Sequence, residues 1–470
     1  MKKNLFASYL GGIKDTENGE RYSTILYYFL PEFISALLLY SLPIFIDSYF
    51  IGQLKSTPMY ATLGSTNNLL HFIIKLAESC MVVMVIIGGN LNGMQCYKKV
   101  GIAARDIFWS TVFIGLFFTG LLYFGAPLII SWYETPFEMR SLSISFLRLR
   151  AVSIFFTFAY MALIGFLRSI KNARVPMLIF IIGTLVFIGT DYICIFGYYG
   201  IPPMALYGSA IASILQAFTM FVLAALYSSY HKDCRQYSLS LFKGIADFSY
   251  IKKLIALSWP VILDKATMAW AYIWLCKMIN PMGARCIASF CVIKDMERFA
   301  FLPAIAFAQV LTFLVSNDSG AQQWDAIKSN LKKICFLASG MVFSILIVFS
   351  LYPASIIRFF DKTGDFTSLA AHAFPILSVL VFFDLIQLLL SGALRGAGNV
   401  KIVMYMRLLV CFGYFIPLSY LLSHMQMHDE TLKFILVYGS FYFGNAIMSI
   451  AYINRLRGEE WKVPSLKGSV

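Results

Sequence analysis

The strongest constraint on how this chain can fold is a segment that it carries twice. Gly392-Ala393-Leu394-Arg395-Gly396-Ala397-Gly398-Asn399 has a worn copy at Gly165-Phe166-Leu167-Arg168-Ser169-Ile170-Lys171-Asn172, which sets Arg168 and Arg395 227 positions apart. The same shift carries Asn90, Gly93 and Gln95 onto Asn317, Gly320 and Gln322, and Ala61 onto Ala288. Separated coincidences at one shift mark an internal repeat. Upstream, LPEFISALLLY from Leu30 aligns with WPVILDKATMAW from Trp259 once the shift grows by two, from Pro31 to Pro260. The chain therefore reads as an N-terminal lobe over residues 1–230, a linker over 231–250, a second lobe over 251–454 and a tail over 455–470.

Composition says what the lobes are made of. Hydrophobic residues are 59% of the chain and charged residues 13%, against about 45–50% and about 25% in soluble domains. With a mean hydropathy of +0.74 and apolar runs throughout, the 470 residues hold about twelve spans of about 20 residues. They fall at 24–51, 60–90, 103–131, 140–167, 174–198, 203–229, 252–279, 286–316, 334–357, 370–394, 402–424 and 432–453. The nine cysteines form no C-x-x-C or Cys/His cluster, so neither a disulfide framework nor a bound metal is expected. No cofactor is expected beyond a transported ion.

Net charge is +14, which in a soluble chain would make nucleic acid a candidate partner. Here the positions of the charges point to a membrane instead. Alternate connections on one side carry twenty Lys and Arg residues, among them Lys98, Lys99, Arg168, Lys232 and Arg395, while the opposite loops carry Lys55, Arg285, Arg358 and Lys362. That asymmetry places both termini in the cytoplasm. Six spans per half give both halves one orientation. The expected fold is an all-α polytopic membrane protein, twelve helices in two six-helix lobes related by a pseudo-two-fold axis along the membrane normal, with a cavity between them.

Three stretches carry a resemblance: LPIFIDSYFIGQL from Leu42, GNLNGMQCYKKVG from Gly89 and FDLIQLLLSGALRGAGN from Phe383. In this order, on twelve spans in two parallel repeats, they resemble the multidrug and toxic compound extrusion (MATE) transporters, within the superfamily that includes lipid-linked oligosaccharide flippases. The resemblance implies secondary active efflux, in which H⁺ or Na⁺ enters as an amphipathic compound leaves by rocking of two lobes. It puts Asp47 at the family's first-span acid, Asp191 at its fifth-span carboxylate and Asp384 at the tenth-span carboxylate of one branch. Phe187 stands where the family commonly has Asn, and Asp264-Lys265 lies near the place of an expected seventh-span Glu.

The residues support this reading on their own terms. An acid inside a span is costly unless it pairs, meets water or takes up a proton, so it is a functional candidate by default. Asp47 lies four residues after Pro43, and Asp384 eleven before Arg395. Asp191 is expected near the outer end of its span, where it could share a proton or Na⁺ with Asp47 or be solvated at the interface. In the second span, Asn67, Asn68, His71, Lys75 and Glu78 recur at helical spacing, and Lys294, Asp295 and Arg298, with Glu297 beside them, answer them in the eighth. These residues are expected to line a substrate cavity; the alternative is an internal ion-pair network. Lys265 and Lys277 would make that cavity basic, which keeps a flippase or exporter of an anionic or lipid-linked substrate as the second reading. Arg148 and Arg150 point to different faces, so at least one must find a partner. Arg168 and Arg395 read as structural turns. No Ser/His pair, H-E-x-x-H or phosphate-cradling loop stands in a suitable context, so an enzyme is not expected. The chain should act as a monomer in the inner (plasma) membrane, with a small molecule and the bilayer as partners.

Overall fold

The computed structural model describes residues 19–54, 56–132, 137–239, 251–360 and 366–462, with Tyr40 and Asn68 among the positions described in backbone only. Every regular element among them is helical. The first half contains α1 (Tyr22–Tyr40), α2 (Leu42–Gln53), α3 (Thr57–Gly93), α4 (Tyr97–Trp132), α5 (Phe137–Ser169), α6 (Arg174–Phe196) and α7 (Leu206–Tyr230). After a 3₁₀ turn at Lys232–Tyr237, the second half contains α8 (Ile251–Ile279), α9 (Ala284–Gly320), α10 (Trp324–Leu351), α11 (Pro353–Phe360), α12 (Thr367–Gly396), α13 (Val400–Val410), α14 (Ile416–His424) and α15 (Glu430–Arg457).

The first span is broken by its own sequence. Ser41 leaves helical geometry at φ −126°, and Pro43 restarts α2 in its first turn, where a missing N–H costs nothing. In the eleventh span, α13 passes into α14 through a π-helical segment, Cys411–Phe415. Pro417 follows it, in the first turn of α14. A proline that withholds one donor favours such a local change of hydrogen-bond register.

Among the described residues, eleven helical stretches are long and apolar enough to cross a membrane, with α1 and α2 counted as one, Tyr22–Gln53. The twelfth, α8, has 29 residues but carries Asp264 and Lys265 in its middle and Lys252, Lys253 and Lys277 near its ends. Its composition therefore falls short while its length does not.

The chain packs as two compact units, Leu30–Ser258 and a second one of Trp259–Val470 together with residues up to Phe29. In the second unit the opening of α1 is held by α9 and α10: Phe29 stacks on Phe307 at 4.1 Å, and the fully buried Lys333 donates to the Glu20 carbonyl at 3.0 Å. Lys333 thus lies inside α10.

Both units repeat one internal design. In the first, α3 packs along α5; in the second, α9 packs along α12. A side chain on Gly165 would stand 2.8 Å from the Met81 carbonyl oxygen, and one on Gly392 3.1 Å from that of Ala308, so both pairs obey the 227-residue shift. Glycine there lets two helix backbones approach closely. The turns repeat as well. Gln95 and Gln322 have φ 60° and 59°, Lys171 and Gly398 have 59° and 79°, and Asn172 and Asn399 donate backbone N–H groups to Leu167 and Leu394. The duplicated motif is therefore a close helix contact ending in a left-handed turn.

Candidate functional site

In the first unit, helices α1, α2, α3, α5, α6 and α7 enclose about 120 Å³ of space, bordered by Asp47, Asn67, His71, Glu78, Arg150, Thr157, Tyr160, Phe187 and Ser213 among others. Asp47 is 2% exposed and Asp191 0%. Burial of Asp191 removes the interfacial alternative: α6 runs to Phe196 and Gly197 closes it in left-handed geometry, leaving the acid inside the bundle. Arg150 is the cationic neighbour of both acids. Its guanidinium also donates to Asn67 Oδ1 at 2.7 Å and contacts Ser213 Oγ closely.

The hydrogen bonding around these acids is sparse. Among the described residues, Oδ1 of Asp47 and both carboxylate oxygens of Asp191 have no hydrogen-bond partner. Two buried carboxylates facing one guanidinium leave one negative charge uncompensated, an arrangement that low-dielectric surroundings penalise until a cation or proton arrives.

The rest of the polar stripe divides. Asn67, His71 and Glu78 border the cavity, while Lys75 pairs with Glu78 at 2.9 Å and keeps much of its side chain exposed. The side chain of Asn68 lies outside the described residues. Arg148 points away, donating to the Tyr123 carbonyl at 3.2 Å. Arg148 and Arg150 thus both have partners, and of these two α5 sends only Arg150 toward the acids.

In the second unit, Asp384 accepts a hydrogen bond from Asn445 Nδ2 at 3.0 Å and faces Arg407. Arg407 in turn is bonded to Asp264 Oδ1, whose other oxygen takes Arg395 at 2.5 Å. Asp295 and Arg298 are exposed and 4.0 Å apart, whereas Glu297 is buried and accepts from Tyr438 Oη at 2.5 Å. The eighth-span stripe therefore turns Glu297 inward. Lys294 stands between, its ammonium 4.3 Å from the Tyr272 ring centroid. Lys277 is exposed, 5.5 Å from the ring centroid of Trp274 on its own helix. These placements make the second unit's interior less basic than its lysines suggest.

Sequence reasoning weighed Arg168 and Arg395 as turns and passed over their partners. Arg168 makes a two-point ion pair with Glu32, also buried. Glu32, Glu297 and Arg407 were each visible as charges inside apolar runs, which is the signal that could have found them. Among the described residues there is no cluster of three His, Cys, Asp or Glu side chains placed to hold a metal.

Known proteins resemble this chain over most of its length. A probable multidrug resistance protein NorM of Mannheimia succiniciproducens is 23% identical over 412 residues, covering 83% of this chain and 86% of that one. The multidrug resistance protein MdtK of Proteus mirabilis is 21% identical over 389 residues, 82% and 84% of the two chains. Among solved structures, the Vibrio cholerae MATE transporter VcmN superposes with a TM-score of 0.84 at 16% identity over 97% of this chain and 99% of that one. A MATE structure in the bent conformation gives 0.82 at 17% identity over 92% and 94%. The MatE family model matches twice, over residues 33–193 and 260–421, two starts that stand 227 positions apart like the two arginines. With its repeat, its membrane-spanning helices and both matches in place, the chain belongs to the MatE family of membrane transporters.

Proposed function

We propose that this protein is a secondary active efflux transporter that exchanges H⁺ or Na⁺ for amphipathic organic compounds by alternating access. The observation that carries the reading is the pair Asp47 and Asp191, both buried and both facing Arg150, with three carboxylate oxygens lacking hydrogen-bond partners among the described residues. A proton or cation entering there removes the charge imbalance, and its departure restores it. Because Asp47 sits on α2, just beyond the break at Ser41 and Pro43, a change of charge acts on a short helix that is free of the straight course of α1. Loss of the ion would thus favour one arrangement of the first span, and its return the other. The relatives named for multidrug resistance support organic compounds as cargo, and the excess of Lys and Arg on one side supports cytoplasmic termini.

The test is transport by the purified protein in proteoliposomes, with a fluorescent lipophilic cation as cargo and an imposed proton or Na⁺ gradient. Asp47→Asn and Asp191→Asn keep side-chain shape and remove the charge. Each is expected to lower gradient-driven transport by about tenfold or more. Undiminished gradient-driven transport by Asp47→Asn would overturn the assignment.

A further inference from the structure

The two units do not balance their buried charges in the same way. In the first, Glu32 has Arg168, Glu78 has Lys75 and Asp106 has Arg105, while Asp47 and Asp191 share Arg150. In the second, Asp264 and Asp384 lie in one chain with Arg395 and Arg407. Glu297, which also faces Asp384, has Lys294 as its cationic neighbour and a tyrosine hydroxyl as donor. Among these buried acids of the described residues, the first unit is thus one positive charge short, and the second is not.

The local geometry explains how that chain is held. Arg407 lies on α13, one turn before the π-helical segment, and its Nε bonds to Asp264 on α8. Asn445 on α15 donates to Asp384 on α12. Arg407 and Asn445 border a space of only about 20 Å³. That is room for about one water and not for an ion with a hydration shell. A guanidinium bonded to Asp264 and facing Asp384 occupies the place that a mobile counter-ion would otherwise have to fill.

We propose that Arg407 is a positioning residue, the resident counter-cation of the second unit. It holds Asp384 charged without a transported ion, so that the coupling ion binds the first unit alone, one per cycle. The inference rests on the efflux reading above. It makes Asp384 a partner in a fixed network and not a carrier of the transported ion.

The experiment uses the full-length protein in proteoliposomes and reads two quantities, gradient-driven transport of a fluorescent lipophilic cation and the ion-to-cargo ratio from the reversal of flux. Asp384→Asn is expected to keep transport within about threefold and leave the ratio unchanged, while Arg407→Gln loses about tenfold or more. The double variant is expected to recover most of that loss, because it removes the stranded carboxylate, a rescue that packing alone would not produce. Should Arg407→Gln fail to fold, Asp384→Asn decides by itself. A folded Asp384→Asn protein, with an unaltered thermal transition, that loses its gradient drive or changes its ratio overturns the proposal. Asp47→Asn separates the two readings: if it retains full drive, the efflux mechanism falls and this inference with it. If Asp47→Asn loses its drive and a folded Asp384→Asn loses it as well, only the inference falls.

Discussion

Arg168 and Glu32, 136 positions apart, are joined inside the first unit by two parallel bonds, Nε to Oε1 at 2.9 Å and Nη2 to Oε2 at 2.5 Å. The same duplicated arginine in the second unit, Arg395, reaches Asp264 on α8. In each half, therefore, the end of the fourth span is tied to the first span of that half by an ion pair to a buried carboxylate. The shared arginine motif is a clamp as well as a turn.

Breaking such a pair from one side strands a charge in a low-dielectric interior, at a cost of about 3–5 kcal/mol. Glu32→Gln and Arg168→Gln are each expected to lower the thermal transition of the detergent-solubilised protein. The double variant should be more stable than the less stable single variant. Additive losses in that cycle would show that the two groups do not interact.

Arg150 offers a functional counterpart. Arg150→Gln leaves Asp47 and Asp191 facing each other without a cation, and transport is expected to fall by about tenfold or more. Arg150→Lys keeps the charge but lacks the planar fork that reaches both Asn67 and Ser213, so it should give an intermediate rate. Equal rates for the two variants would mean that charge is not what Arg150 supplies.

The left-handed turns predict opposite effects at equivalent kinds of position. Gln95, exposed and at φ 60°, bears the steric cost of a side chain in that region, and Gln95→Gly is expected to raise stability by about 0.5–1 kcal/mol. Gly398, at φ 79°, should lose about 1 kcal/mol or more on replacement by Ala. Thermal unfolding of both variants checks the pair of signs.

Cys234 lies outside the spans, in the 3₁₀ turn after α7. Burial, and secondarily the charge of Asp233, pushes its thiol from the ordinary 9.0 up to about 11. The thiol stays protonated through the physiological range, so maleimide labelling at neutral pH should be slow at Cys234 in the folded protein and faster once the chain is unfolded. The sign for stability follows from the raised value: the unfolded thiol ionises first, so the contribution present below pH 9 is lost as pH rises toward 11. Peptide mass spectrometry after a short labelling pulse reads the first effect. A pH series of thermal transitions, with Cys234→Ser as the reference, reads the second.

The repeat, the membrane spans and the presence of acids inside them at 47 and 191 were legible in the amino-acid order. Each depends on a local or periodic rule: an apolar run long enough to span, a charge inside it, or a motif recurring at one shift. Asp264 and Lys265 in α8 blurred the apolar signal of that span without erasing its length. Which charges meet was decided by the tertiary structure alone. The helical period says that Arg148 and Arg150 face different ways, but only the rotation of α5 against α2, α6 and α7 sends Arg150 to the acids and Arg148 to the Tyr123 carbonyl. Likewise Glu297 replaces Asp295 and Arg298 in the interior because a helix turns by about 100° per residue. Packing against α15, where Tyr438 waits for a carboxylate, selects which of those neighbouring directions is inward.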